Sequence, residues 1–169
     1  MNKLITKIAC AGIALVFVLG AFTGCKSGKT GSGKTVALPS FTSVKDPDGS
    51  LAQKGKAGDM EYTILDKNSY GTHEKKRGYY IDQLEQLDSP YFIVVTAGSK
   101  AEDGDEINIV DLGMQGSKLV IVVEEKFNSG DKTADSGTPC CVLETDHDHL
   151  PEEILIVSTS GEEFKSITG

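Results

Sequence analysis

The sequence predicts an all-β domain with at most one short helix, built as an antiparallel β-sandwich or a partly open barrel. Three observations carry this. Apolar residues come in short runs rich in Val, Ile, Tyr, Phe and Thr, which suit a pleated, half-buried surface. Clusters of Gly, Asp, Asn, Ser and Pro separate those runs at short intervals. Sustained helical periodicity is confined to one brief stretch. The 169 residues are 38% hydrophobic, but 16 of the first 24 are apolar, so the remainder is leaner and supports one modest core rather than two.

The elements follow in chain order. Lys3 and Lys7 precede a small apolar run at 8–22, too short for a stable membrane span and typical of an export signal. The run ends in Phe22-Thr23-Gly24-Cys25, similar to the bacterial lipobox, in which small residues precede a lipidated cysteine. Residues 1–24 are thus expected to be a lipoprotein signal peptide. Cys25 would carry the lipid, with two or three acyl chains giving stable anchoring at about 0.8 kcal/mol per buried methylene. The chain would then sit on the outer face of a bacterial cell membrane, or at an outer membrane, outside the cytoplasm.

Residues 25–59 read as a flexible Gly/Ser/Lys-rich tether, with a turn signal at Asp46-Pro47-Asp48-Gly49. From Val36 onward 12 basic residues face 25 acidic ones, a net charge of −13. That charge excludes nucleic acid as the main partner, because phosphate binding needs a basic face.

The single β domain is expected at 60–169. Candidate strands lie at 60–65, 78–81, 91–97, 106–112, 118–127, 140–145, 154–159 and 164–167. The runs at 91–95 and 119–123 are apolar without interruption, the pattern of central strands. Ile81, Leu84 and Leu87 fall at helical spacing, and Ser89-Pro90 would stop a short helix there.

Several patterns resemble chemistry and are weighed by context. Gly28, Gly33, Lys34 and Thr35 match the phosphate-binding pattern G-x-x-x-x-G-K-[ST]. That motif needs a strand before it and a helix after it; here a signal precedes it and Pro39 follows shortly. No nucleotide is expected, nor any other cofactor. Asp66 to Gly71 begins like a calcium loop but fails at Tyr70, and at Arg77 where the closing Glu belongs. Cys140 and Cys141 read as small strand hydrophobes, one facing the core. The alternatives are a strained vicinal disulfide or a thiol nucleophile served by His147. His147 and His149, flanked by Asp146 and Asp148, are weak metal candidates in what reads as a solvated turn. Glu102, Asp103, Asp105 and Glu106 form an acidic loop after the run at 91–97, a candidate surface for a basic partner. No acid–base set points to catalysis.

Residues 89–167 resemble the C-terminal domain of the protease complex subunit PrcB family. The resemblance rests on 91–98 (YFIVVTAG), 119–126 (LVIVVEEK), Ser129-Gly130-Asp131, and Thr138-Pro139 leading the next strand. The family's Pro-Thr-Gly-Gly-Tyr loop after the first strand is replaced here by Ala101-Glu102-Asp103-Gly104-Asp105, so a role borne by that loop does not carry over. The resemblance implies a non-catalytic accessory module for an exported protease or its assembly. The alternative is a stand-alone inhibitor-like or ligand-binding lipoprotein acting through a loop or sheet edge.

Overall fold

The computed structural model describes residues 37–66, 69–72, 74–84, 88–98, 105–127 and 138–167. Within them the chain forms ten strands: β1 (Thr42–Ser43), β2 (Lys54–Ala57), β3 (Met60–Ile64), β4 (Gly78–Gln83), β5 (Tyr91–Thr96), β6 (Glu106–Gln115), β7 (Lys118–Lys126), β8 (Cys140–Thr145), β9 (Glu153–Ser158) and β10 (Glu163–Phe164). One sheet has the order β1-β6-β7-β9-β10 and the other β2-β3-β8-β5-β4. The two enclose one core, so the expected β-sandwich stands and the barrel does not.

Alternation places the core. Leu119, Ile121 and Val123 of β7, with Ile156 of β9 and Phe164 of β10 in the same sheet, meet Ile93 and Val95 of β5 and Leu143 of β8 from the other sheet in one buried cluster. Each such side chain contributes about 1.5–3 kcal/mol by leaving water. Val120 and Val122, on the opposite face of β7, are buried as well, which explains the unbroken apolar run. Gln115 pairs with Lys118, so Gly116 and Ser117 alone make the hairpin turn. Gly116 holds φ at 64°, as a two-residue loop of this hand requires.

Three expectations are corrected. First, the sandwich is not wholly antiparallel: β7 and β9 run parallel, from Lys118 opposite Glu153 to Val123 opposite Ser158. The reason is the crossover. After β7 the chain passes to the other sheet, forms β8 there, and returns in its original direction, so a strand does what a helix does in a βαβ unit. Second, Ile81, Asp82 and Gln83 are not helical; they belong to β4 and pair with Ile93, Phe92 and Tyr91. Pairing against a buried central strand outweighs a weak helical stripe; residues 85–87 lie outside the described residues. Third, the stretch read as tether is structured in its second half. β1 pairs with Gly113 and Met114, and β2 pairs with the whole of β3 up to Thr63. Ala57 is buried, and Val44 and Leu51 pack against the core. The predicted turn is present, with Gly49 N donating to Asp46 O at 2.8 Å.

The segment between β3 and β4 crosses the outer face of the second sheet. There Val94 and Val142 are buried. The Tyr70 ring stacks on Phe92 with centroids 5.7 Å apart. Its hydroxyl donates to Asp82 Oδ2, and the Tyr80 hydroxyl bonds Thr72 Oγ1 at 3.0 Å.

Candidate functional site

The geometry that favours binding is the β4 edge of the second sheet. Tyr79 N donates to Lys165 O at 3.0 Å, and Ile167 N donates to Tyr79 O at 2.9 Å. Tyr79 and Ser166 thus form a parallel bridge. The outward direction of Tyr79 fixes that of its alternate neighbours: Ile81 and Gln83 also aim their main-chain groups away from β5. Gln83 N is taken by Asp82 Oδ1 at 2.9 Å. Ile81 therefore presents N–H and C=O on the part of the edge that no strand covers among the described residues. Its side chain lies on the core-facing side, yet at the rim, and is 40% exposed; Leu84 beyond it is 57% exposed. An edge of this kind is a ready template for an extended segment.

Gly78 lets residues 165–167 approach. A Cβ there would overlap the Lys165 carbonyl oxygen and lie near Ile167 Cγ2. Gly98, at φ 79°, does the same for residues 75–77, since a Cβ there would lie 2.8 Å from Arg77 N. Arg77 then ties the two sheets together. Its Nε and Nη2 donate to Glu125 Oε1 and Oε2 of β7 at 3.1 and 2.8 Å. It also reaches Glu162 at 3.4 Å and lies 3.7 Å over the Phe164 ring. The fork geometry and the ring contact are both specific to arginine.

Of the predicted acidic loop, Asp105 and Glu106 are among the described residues. Glu102 and Asp103 fall outside the described residues. Asp105 leads directly into Glu106, the first residue of β6, which pairs with Lys126 and receives Asn108 Nδ2 at 3.4 Å. Glu124 and Lys126 form an ion pair at 3.0 Å on the neighbouring strand. Acid also reaches the β4 edge itself: burial, and then the nearby Glu163 charge, push the Tyr79 phenol above its ordinary pKa. Cys25, the predicted lipid site, lies outside the described residues.

The cysteines and histidines do not converge. Cys140 and Cys141 are neighbours in β8, so they face opposite sides of the sheet; both are free thiols. Burial pushes both thiols above their ordinary pKa, away from the thiolate a nucleophile needs. Cys140 begins β8 and His147 lies past its end. At about 3.3 Å per residue the two are roughly 20 Å apart. The His147 ring stacks on Tyr91 with centroids 5.9 Å apart, and its Nδ1 is 3.2 Å from Asp148 Oδ1. His149 Nδ1 bonds Asp146 Oδ1 instead, at 2.8 Å. Among the described residues no three His, Cys, Asp or Glu side chains are placed to hold one metal ion.

Asp146 has a structural part. It accepts Glu61 N at 2.6 Å on Oδ2, and Asp148 N and His149 N at 3.1 and 2.9 Å on Oδ1. Burial alone would raise its carboxyl; these bonds and the His149 ring outweigh it and hold the pKa below the ordinary value.

Beside it, the outer face of the second sheet carries an open depression of about 330 Å³, lined by Lys54, Glu61, Thr63, Glu144, Thr145 and Asp146 among others. Thr145 alternates with the core residues Cys141 and Leu143, so its buried Oγ1, which has no hydrogen-bond partner, lies on the other face of the sheet; on the outer face Lys56 pairs with Glu61 at 2.8 Å.

The edge residues Gly78 and Ile81 were not singled out by the sequence as functional. The available signal was the β-prone run Gly78-Tyr79-Tyr80-Ile81 ending in exposed apolar residues, which the helical spacing of Ile81 and Leu84 obscured. Compared with protein-family models, curated proteins and solved structures, the chain matches none.

Proposed function

We propose that this chain is a non-catalytic, lipid-anchored module that binds an exported protease, or a component of its assembly, by taking an extended segment at the β4 edge. The observation that supports the reading most is the main chain of Ile81, uncovered among the described residues and flanked by the exposed side chains of Ile81 and Leu84. Main-chain pairing supplies affinity in such recognition, and side-chain pockets supply selectivity. The resemblance of residues 89–167 to the PrcB family supplies the partner class, and Cys25 supplies the anchor. The net charge of −13 from Val36 onward favours a basic segment and speeds its encounter.

The test is mild crosslinking of intact cells carrying either the parent or Cys25→Ala. Labelled palmitate should enter the parent and not the variant. An exported protease should co-purify with the parent and be lost or sharply reduced with the variant. Palmitate on the Cys25→Ala chain would refute the anchor.

A second reading attaches to the polar depression lined by Lys54, Glu61, Glu144 and Asp146. The charged side chains that line it favour a small polar ligand there. Native mass spectrometry of protein purified from its host, showing a stoichiometric small molecule lost in Glu144→Ala, would support it.

A further inference from the structure

We infer that residues 165–167 are a built-in occupant of the β4 edge, displaced by a partner segment of the same chemistry: a basic residue, a small polar one and a β-branched one, laid parallel to β4. The inference rests on the proposed edge-binding function and names the chemistry of the segment.

The self-contact defines what the edge accepts. It fixes the direction, since the Tyr79–Ser166 bridge is parallel. It fixes the register, since both main-chain bonds of the segment go to Tyr79. It also fixes the side-chain requirement, because Ile167 sits against Gly78, where any larger residue would collide with it and with the Lys165 carbonyl. Acid reaches the edge on which Lys165 lies, since Glu163 is close enough to Tyr79 to shift its phenol, while Glu162 and Glu125 are engaged by Arg77.

The self-contact also uses only part of what the edge offers. It satisfies Tyr79, but the next bond on this path, from Ile81 N to Ile167 O, is not made, and among the described residues both outward groups of Ile81 are uncovered. A longer segment on the same path would pair with Tyr79 and Ile81 together and cover the exposed Ile81 side chain. It would therefore outcompete the tail. The tail keeps a sheet edge partly closed until such a segment arrives, which limits edge-to-edge association.

The probe is a fluorescent peptide with this chain's own sequence from Phe164 to Gly169, FKSITG, titrated by anisotropy against the full-length protein and against Ile167→Pro. Proline removes the N–H that bonds Tyr79 O and cannot pair in a ladder. The expected result is at least about tenfold tighter binding to Ile167→Pro than to the parent. Amide exchange at Tyr79, slow in the parent, should become fast in Ile167→Pro and slow again with peptide. Gly78→Val, made in the Ile167→Pro background, should abolish peptide binding. Should that double variant fail to fold, the exchange of the Tyr79 amide in Ile167→Pro decides alone. Equal binding to parent and Ile167→Pro would overturn the inference while leaving the edge-binding function standing. Binding to neither, with the Tyr79 amide exposed in Ile167→Pro, would overturn both. A Tyr79 amide still protected in Ile167→Pro would show that Lys165 O stays on the edge without the Ile167 bond, so that the segment is not displaceable, and would overturn the inference.

Discussion

Asp146 concentrates several interactions in one carboxylate. It receives three main-chain N–H groups and the His149 ring, and one of those amides, from Glu61, belongs to a different strand. Asp146→Ala should cost about 1.5–3 kcal/mol in urea unfolding at neutral pH, the range for hydrogen bonds to a charged acceptor. The pH dependence has a definite sign. The folded pKa lies below the unfolded value, so the contribution is complete above the unfolded pKa of about 3.9 and is lost as pH falls through the folded one. The gap between parent and variant should therefore be full at pH 7 and shrink only below about pH 4. A gap that instead closed between pH 5 and 8 would mean that another group controls the turn. Arg77 makes a comparable claim across the sandwich. Glu125 is 9% exposed, so removing its partner strands a nearly buried charge. Arg77→Ala should cost about 2–4 kcal/mol, and Arg77→Lys should recover less than half, because an ammonium neither forks nor stacks. Full recovery in the lysine variant, read by thermal melts, would contradict the geometry described.

At the scale of elements, the segment between β3 and β4 does unusual work for a connection. A sandwich commonly presents polar residues on its outer faces, whereas here Val94 and Val142 point outward and are buried. Tyr70 latches the segment by stacking on Phe92 and bonding Asp82, and its main-chain carbonyl lies 3.9 Å from Cys140 Sγ. Tyr70→Ala should loosen this cover and raise the rate at which Cys140 reacts with a thiol reagent by about tenfold or more, while Tyr70→Phe, which keeps the ring, should change it much less. No change in Tyr70→Ala would show that Cys140 is shielded by something else. The strands were legible in the sequence where burial is two-sided or alternation is clean. Residues 91–95 and 119–123 have no polar interruption because both faces of β5 and β7 are covered, and they were placed centrally for that reason. β1 and β2 were not legible. Lys54-Gly55-Lys56-Ala57 carries one core residue, Ala57, and its strand character comes wholly from pairing with β3. Ile81 and Leu84 misled for a related reason: three-residue spacing on an edge strand's rim imitates a helical stripe. The parallel pairing of β7 and β9 is a long-range property, set by where β8 docks, and no local pattern encodes it.

At the scale of the molecule, the chain combines an acidic body, two sheets and one partly self-covered edge. The sequence suggests an anchor at Cys25 and a binding surface at the acidic residues 102–106, but it does not show the edge, because an edge exists only once strand order is known. Its nearest sequence sign, Gly78, carries meaning only when Lys165 and Ile167 are seen lying against it. In the proposed binding, the edge and the acidic surroundings would act at different stages: charge would bring a basic segment to the surface, and main-chain pairing would hold it. The most direct test of edge capture is a photoreactive amino acid installed at Ile81 in the full-length protein in living cells, with the same residue at exposed Glu152, in the β8–β9 turn, as control. Irradiation at position 81 should trap an exported protease or a component of its assembly through an extended segment carrying a basic residue, identified by sequencing the crosslinked peptide, and position 152 should not trap it. Trapping of the same protein from both positions, or from 152 alone, would contradict capture at the β4 edge.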